Sequence, residues 1–317
     1  MKAMLIFNPA AGWRDWREEV LEIVSYLGQQ GWDVTWRETW GPGDATTFAR
    51  EAVARGYDAA LAAGGDGTIS EVVNGLAGTE VALGVLPIGT GNVWAREMGL
   101  PLWGIIHRHF LEEAATALME GQRRQVDVGR AGQHYFLLWA GVGLDAKVTE
   151  VMEPRNRAQK RWGALAYAVA VAAVTRDFKG TLATITIDDQ VLQEQVIVVL
   201  ISNVQLYGGM LRLTPQAQLD DGLFDVCIFK GHDWTSTLGH ATAILTGQYL
   251  NGPEVAYYRG QRVVVETAIP LPVQLDGDPI AVTPIELEVV PKALTIIIPR
   301  DMPEELFVNQ RVQSSQK

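Results

Sequence analysis

The feature that most restricts this chain is a short apolar strand, Asp58 to Ala63, that runs into Gly64-Gly65-Asp66-Gly67-Thr68 and then into a helical stretch, Ile69 to Leu76. Strand, glycine turn and helix N-terminus together leave backbone N–H groups without intrahelical partners. Glycine lets an anion approach them closely, so phosphate is the natural ligand. Asp66 is unusual in such a cradle, because its charge opposes the ligand unless a metal ion or a capping role compensates; this favours a metal-bound nucleotide.

The first 128 residues repeat this alternation of strand and helix. Strands are expected at Lys2 to Phe7, Asp33 to Glu38, Asp58 to Ala63 and Val81 to Pro87. Trp13, Trp16, Val20, Ile23, Val24 and Leu27 recur at helical spacing and the pattern stops at Gly31, which places both tryptophans in the core. A second helix is expected to take Asp44 as its N-cap and to close near Gly56, and another to run from about Gly104 to Glu120. The pattern predicts an α/β unit with a parallel sheet covered on both faces. Two further turns, Asn8-Pro9-Ala10-Ala11-Gly12 and Gly89-Thr90-Gly91-Asn92, follow strands of this sheet and fall on the carboxyl edge, where ligands bind. GxxxxGK[ST] is absent, so the lysine-bearing phosphate loop is excluded.

After Val128 the pattern changes to period-two alternation at His134 to Trp139, Thr181 to Asp188, Val196 to Ser202, Leu223 to Phe229, Gln261 to Glu266 and Ile285 to Val290. That predicts an antiparallel sandwich or barrel-like lobe. The division is therefore residues 1–128, 129–290 and a tail at 307–317, with 291–306 able to stay in the second lobe or return to the first.

At 317 residues the chain can bury a large core. Its single cysteine, Cys227, excludes a disulfide scaffold and reads as a core thiol. A net charge of −11 argues against a nucleic acid partner and against strong adhesion to anionic membranes. The N-terminus lacks the pattern of a signal peptide, which points to the cytoplasm. Trp162 to Val174 is apolar but too short to span a bilayer. It is expected as a helix packed on a sheet, or as one that meets lipid together with the basic flank Arg155, Arg157, Lys160 and Arg161. The five histidines have no metal-ligand spacing.

The ordered set NPAAG, GGDGTISEVVNG, LPIGTGNVWAREMGLP, LYGGMLRLTPQAQLDDGLFDV and LDGDP resembles the diacylglycerol kinase catalytic family, in particular its soluble bacterial lipid kinases, from about Met1 to Pro299. The GGDGT element is shared with NAD kinases and phosphofructokinases; the DDGLFD and DGD elements narrow the match. The resemblance implies an NAD-kinase-like α/β lobe, a β-sandwich lobe, and ATP with Mg2+ in a cleft between them. It implies nucleotide contacts at Asn8, Pro9, Ala10, Ala11 and Gly12, at Thr39, at Gly65, Asp66, Gly67, Thr68, Ile69, Ser70 and Glu71, and at Thr90. Mg2+ would be held by Asp221 with the main chain of Gln218 and Leu223, a set that suits a hard cation with one or two carboxylates.

In the same resemblance the proposed base is the last residue of a D-G-E turn, which places that role on Asp278, with Asp276 as an alternative base or an orienter of the metal. Aspartate in place of glutamate shortens the reach by ~1.5 Å. Other departures are Ser70, where the family often has Asn, and Val93, where Asp commonly follows Asn92. Asn203, Tyr207, Gly208 and Gly209 match the family ahead of the DDG turn and either line the cleft or pack. The acceptor implied is diacylglycerol or a related lipid met at the membrane surface, with transient peripheral attachment. Many family members act as dimers, so a homodimer is admitted, although the sequence carries no interface signature. An NAD kinase-like enzyme and a non-catalytic nucleotide- or lipid-binding relative are the alternatives.

Overall fold

The computed structural model describes residues 1–104, 107–152, 178–245, 249–300 and 302–308. Contacts divide the chain into two compact units: Met1–Val128 with Leu219–Asp221 and Pro291–Lys317, and Gly129–Gln218 with Gly222–Val290.

In the first unit the order is β1 (Lys2–Phe7), α1 (Arg17–Gln29), β2 (Asp33–Glu38), α2 (Asp44–Ala54), β3 (Ala59–Gly64), α3 (Asp66–Leu76), β4 (Ala82–Pro87), α4 (Val93–Glu97), α5 (Phe110–Glu120) and β5 (Gln122–Ala131). β1 lies between β2 and β3, and β3 pairs with β4, all in parallel. The strand order 2-1-3-4 reverses direction between β1 and β3, which makes that gap the topological switch point. β1, β3 and β4 are buried along almost their whole length because helices cover the sheet. α1 packs Val20, Ile23 and Leu27 into the core that also holds Leu5, Phe7, Leu61 and Leu86.

Several local expectations are corrected here. Trp16 is buried, but Trp13 is partly exposed, with its ring against Trp16 and Trp103, because α1 starts only at Arg17 and Trp13 belongs to the preceding loop. Gly43 caps α2 in left-handed geometry; Asp44 is the first helical residue, and its carboxylate instead accepts the N–H groups of Trp40 and Gly41. α5 begins at Phe110 rather than near Gly104.

The second unit continues with β6 (His134–Phe136), β7 (Trp139–Gly143), α6 (Leu144–Met152), β8 (Thr181–Ile187), β9 (Gln190–Ser202), β10 (Leu206–Tyr207), β11 (Leu211–Arg212), β12 (Phe224–Lys230), α7 (Trp234–Leu245), β13 (Val255–Gly260), β14 (Arg262–Thr267), β15 (Pro272–Leu275), β16 (Asp278–Val282) and β17 (Ile285–Ile298). Its strand pairs are antiparallel. β9 is the spine: its first half pairs with β8, its second half with β7 on one side and β12 on the other. The inward residues, among them Ile185, Val199, Ile201, Phe224 and Val263, form one apolar cluster. Cys227 is fully buried in β12, and burial pushes its thiol up to about 12, so it is a packing residue.

Two differences from the sequence pattern have simple causes. The stretch expected as one strand over His134 to Trp139 is β6 and the start of β7, separated by a break at Leu137 and Leu138. β9 starts earlier than the apolar run suggested because its first half carries Gln190, Gln193, Glu194 and Gln195, whose partner strand β8 supplies the alternation. From Pro291 onward β17 belongs to the first unit, where Ile296 pairs in parallel with Leu83 of β4. Trp162 to Val174 and the end of the tail lie outside the described residues. Among the described residues no helix is long and apolar enough to cross a membrane.

Candidate functional site

In the first unit, three loops meet at the carboxyl edge of the parallel sheet. Asn8 sits directly after β1 and stitches two of them: its backbone N–H donates to Ala63 O at 2.9 Å, its Nδ2 donates to Thr68 Oγ1 at 2.9 Å, and its Oδ1 accepts the Ala10 N–H at 2.9 Å. The third loop approaches backbone to backbone. A Cβ on Gly89 would overlap the Gly65 Cα and stand 2.6 Å from Asn92 Oδ1, so glycine is required there. Gly12 has φ +75° and leaves 2.8 Å between a hypothetical Cβ and the Trp16 Nε1.

Asp66 resolves the puzzle of a carboxylate in a phosphate cradle. Its Oδ1 accepts the Trp94 N–H at 3.1 Å, so it caps the start of α4 and binds the glycine loop to the loop after β4. Burial pushes its carboxyl up, against hydrogen bonds from the Val93, Trp94 and Asn92 backbone that pull it down. α3 itself has Gly65 at its N-cap with no side-chain hydrogen bond from it; the Asp66 N–H turns to its own carboxylate, and those of Gly67 and Thr68 are the ones an anion can meet. Gly67 is exposed, and a Cβ there would meet nothing within 4 Å.

The residues expected to meet the nucleotide therefore divide. Pro9, Ala10, Ala11, Gly12, Gly65, Gly67 and Thr90 belong to the loops, and Thr68 is held by Asn8. Thr39 lies at the same sheet edge, where its N–H and hydroxyl both donate to Phe7 O. Ile69 and Ser70 are buried in the first turn of α3, and Ser70 O accepts the Asn74 amide. Glu71 turns away to α2, where its Oε2 accepts the Ala45 N–H at 3.1 Å.

The DDG turn lies between β11 and β12. Asp220 Oδ1 accepts the Val308 N–H at 2.7 Å, and Leu219 N–H donates to Leu306 O at 2.8 Å, which ties this segment to the chain's last turn. Gly222 takes φ +74°, the left-handed geometry that glycine adopts without strain. Asp220 is engaged in that tether, whereas the aspartate expected in the metal set is its neighbour Asp221, with the carbonyls of Gln218 and Leu223. Among the described residues no group of three or more His, Cys, Asp or Glu side chains clusters as a metal site, and a set of one carboxylate with two carbonyls is not of that kind.

In the second unit, Asp276-Gly277 is the two-residue loop of a hairpin closed by Leu275 opposite Asp278. Both loop residues have positive φ, +49° and +93°, as a type I′ turn demands. Asp276 is buried, and its carboxylate accepts the N–H groups of Leu137 at 2.7 Å, Leu138 at 2.8 Å and Trp139 at 3.1 Å. It fills the break between β6 and β7, which makes it a structural clamp. Asp278, the first residue of β16, is exposed.

A buried polar chain runs beside this hairpin; it takes in Tyr207, expected to line the cleft or pack, with Asp145 and Gln274, for which no role was expected. Asp145, near the start of α6, accepts the Tyr207 hydroxyl on Oδ1 and Gln274 Nε2 on Oδ2 at 2.7 Å. Burial pushes the Asp145 carboxyl above the usual range, against those two hydrogen bonds. Gln274 Oε1 accepts the Gly277 N–H at 2.6 Å. The DG dipeptide after an apolar run was a legible hairpin signal. Asp145 had none, since its partner Gln274 is 129 residues away.

The pattern of the diacylglycerol kinase catalytic domain matches residues 2–131, and that of the YegS C-terminal NAD kinase beta sandwich-like domain matches residues 139–298. The diacylglycerol kinase of Bacillus subtilis (strain 168) is 30% identical over 96% of this chain and 99% of its own length. That of Staphylococcus saprophyticus is 27% identical over 98% and 99%. A crystal structure of a candidate diacylglycerol kinase from Bacillus anthracis str. Sterne superposes with a TM-score of 0.80 at 27% identity, covering 95% of this chain and 96% of the other.

Proposed function

The chain belongs to the diacylglycerol kinase family, and on that premise we propose that it transfers the γ-phosphoryl group of ATP to the hydroxyl of diacylglycerol or a closely related lipid, with Mg2+ as metal. It is a phosphotransferase acting on an alcohol. The observation that carries the donor half is the uncapped N-terminus of α3 among three interlocked glycine loops. Such a cradle offers preformed N–H donors to phosphate oxygens and needs little rearrangement to receive them.

The loops from Asn8 to Gly12 and from Gly65 to Thr68, with Thr90, hold the phosphates chiefly through the N–H groups of Gly12, Gly67 and Thr68, because those of Asn8, Ala10 and Ala11 are donated within the protein; the side chains of Asp66 and Asn8 keep these loops in register rather than touch the anion. Asp221 with the carbonyls of Gln218 and Leu223 suits Mg2+ because all three offer oxygen. That ion, when bound, neutralises phosphate charge. Asp278 takes the proton of the acceptor hydroxyl as its oxygen attacks the γ-phosphorus; the bond to the bridging oxygen breaks, and ADP leaves with that electron pair. Asp276 cannot share this role while three N–H groups occupy its oxygens, so it positions the turn.

The test is incubation with labelled ATP, Mg2+ and a panel of lipid alcohols in mixed micelles, with free NAD as a separate acceptor. Label in diacylglycerol is expected. Label in NAD and in no lipid would replace the reading with an NAD kinase, and nucleotide binding without any turnover would replace it with a non-catalytic relative.

A further inference from the structure

The hairpin that carries Asp278 is held by two sets of hydrogen bonds, and only one is explained by local folding. Asp276 clamps the β6–β7 break, a fold-holding role. The other set, Tyr207 to Asp145 to Gln274 to Gly277, places a carboxylate in the interior where an apolar pair would cost less. The fold makes room for it: a Cβ on Gly141 would overlap the Asp145 carboxylate and come 2.7 Å from Gln274 Nε2.

The direction of the chain is forced. Gly277 N–H can only donate, so the Gln274 amide must show it Oε1, and its NH2 must then find an acceptor on the other side. Asp145 Oδ2 is that acceptor, and the Tyr207 hydroxyl holds the second oxygen. Of the other charged groups on elements packed against α6, Glu194 of β9 pairs with Lys230, and Lys147 on α6 pairs with Glu150. Among the described residues, β16 contributes Asp278 at its head.

We propose that Asp145, Gln274 and Tyr207 are positioning residues for the transfer reaction. Asp145 orients the Gln274 amide, the amide fixes the Gly277 N–H, and the fixed turn sets where the Asp278 carboxylate stands. This rests on the reading of Asp278 as the proton acceptor; none of the three contributes a reacting atom.

An exchange of carboxylate and amide tests it. Gln274→Glu keeps an acceptor for Gly277 but sets two carboxylates face to face, which repel until one of them takes up a proton. Its kcat should fall about 10- to 100-fold near neutral pH, as expected for a displaced catalytic group, and recover as pH falls, with the KM for ATP unchanged. Gln274→Met should lower kcat with no change in the shape of the pH profile. Asp145→Asn combined with Gln274→Glu restores one amide and one carboxylate: the amide now at position 145 donates to the carboxylate now at position 274 and accepts from Tyr207. The double variant should regain most of the lost kcat at neutral pH and the wild-type protection of the Gly277 amide against hydrogen exchange.

Thermal unfolding of each variant separates misfolding from misplacement. Wild-type kcat in Gln274→Glu at neutral pH, or a double variant as impaired as the single, overturns the proposal. Asp278→Ala is measured beside them: if it is impaired while the exchange fails, only the positioning role falls, and if it keeps wild-type kcat, the reading beneath it falls as well.

Discussion

The loops of the first unit and the hairpin of the second present their chemistry in opposite ways. Around Gly64–Thr68 the useful groups are backbone N–H donors, and side chains such as Asn8 and Asp66 serve to lock the loops. At Asp276–Asp278 the proposed group is the Asp278 side chain, and the turn that carries it is held by the N–H groups of Leu137 to Trp139, which donate to Asp276, and by that of Gly277, which donates to Gln274. A backbone site is sensitive to what occupies the space of a Cβ; a side-chain site is sensitive to which hydrogen-bond partners remain.

The sharpest break of that comparison is Asp278→Asn. Loss of a general base should lower kcat by about 10²- to 10⁴-fold while the KM for ATP and the unfolding midpoint stay near wild type; a kcat within a few fold of wild type would remove Asp278 from the chemistry. Next come two glycines of the first unit. Gly89→Ala forces a Cβ onto the Gly65 backbone and should destabilise the unit by about 2–4 kcal/mol, read by denaturant unfolding. Gly67→Ala, with open space around it, should leave stability within about 0.5 kcal/mol yet raise the KM for ATP, because the added methyl takes space the proposed nucleotide would use. Equal effects from both glycines would mean that the loop is merely a packed turn.

Asp276→Asn keeps a residue suited to positive φ but turns an NH2 toward an N–H of Leu137 or Leu138, at a cost of about 1–3 kcal/mol. The loss should appear in unfolding and, through the displaced hairpin, in kcat. The smallest effect expected is at a residue of neither site. Glu51 is held down at about 2, from 4.5, mainly by hydrogen bonds from Arg37 and Arg55. A depressed acid stabilises the fold above its unfolded value and loses that contribution as pH falls from 4.5 toward about 2. Glu51→Gln should therefore flatten the acid limb of the stability profile in that window, by at most about 1 kcal/mol because the pair is partly exposed.

Much of this was legible along the chain. The 3.6-residue spacing of Val20, Ile23 and Leu27, and the strand–glycine–helix run at Asp58 to Leu76, each depend on neighbours close in sequence. So does the DG turn, which the reading placed as a turn without its flanking strands β15 and β16. Trp13 and Trp16 show the limit: the same spacing includes both, but the helix starts after them, and burial depends on which side of the loop faces Phe110. Asp276 shows it again. Its residue type suited chemistry and a turn equally, and three N–H groups from a segment about 138 residues away decide for the turn.

The sequence by itself determined the class of fold and the place of the glycine loops at the sheet edge, because glycine placement and hydrophobic period act over a few residues. The tertiary structure decided how the aspartates divide their work. Asp66 caps a second loop, Asp220 holds the chain's last turn, Asp276 clamps a strand break and Asp145 orients an amide beside the hairpin. A carboxylate's role is set by the donors that reach it, and in each of these cases the donors arrive from sequence positions that no local pattern connects.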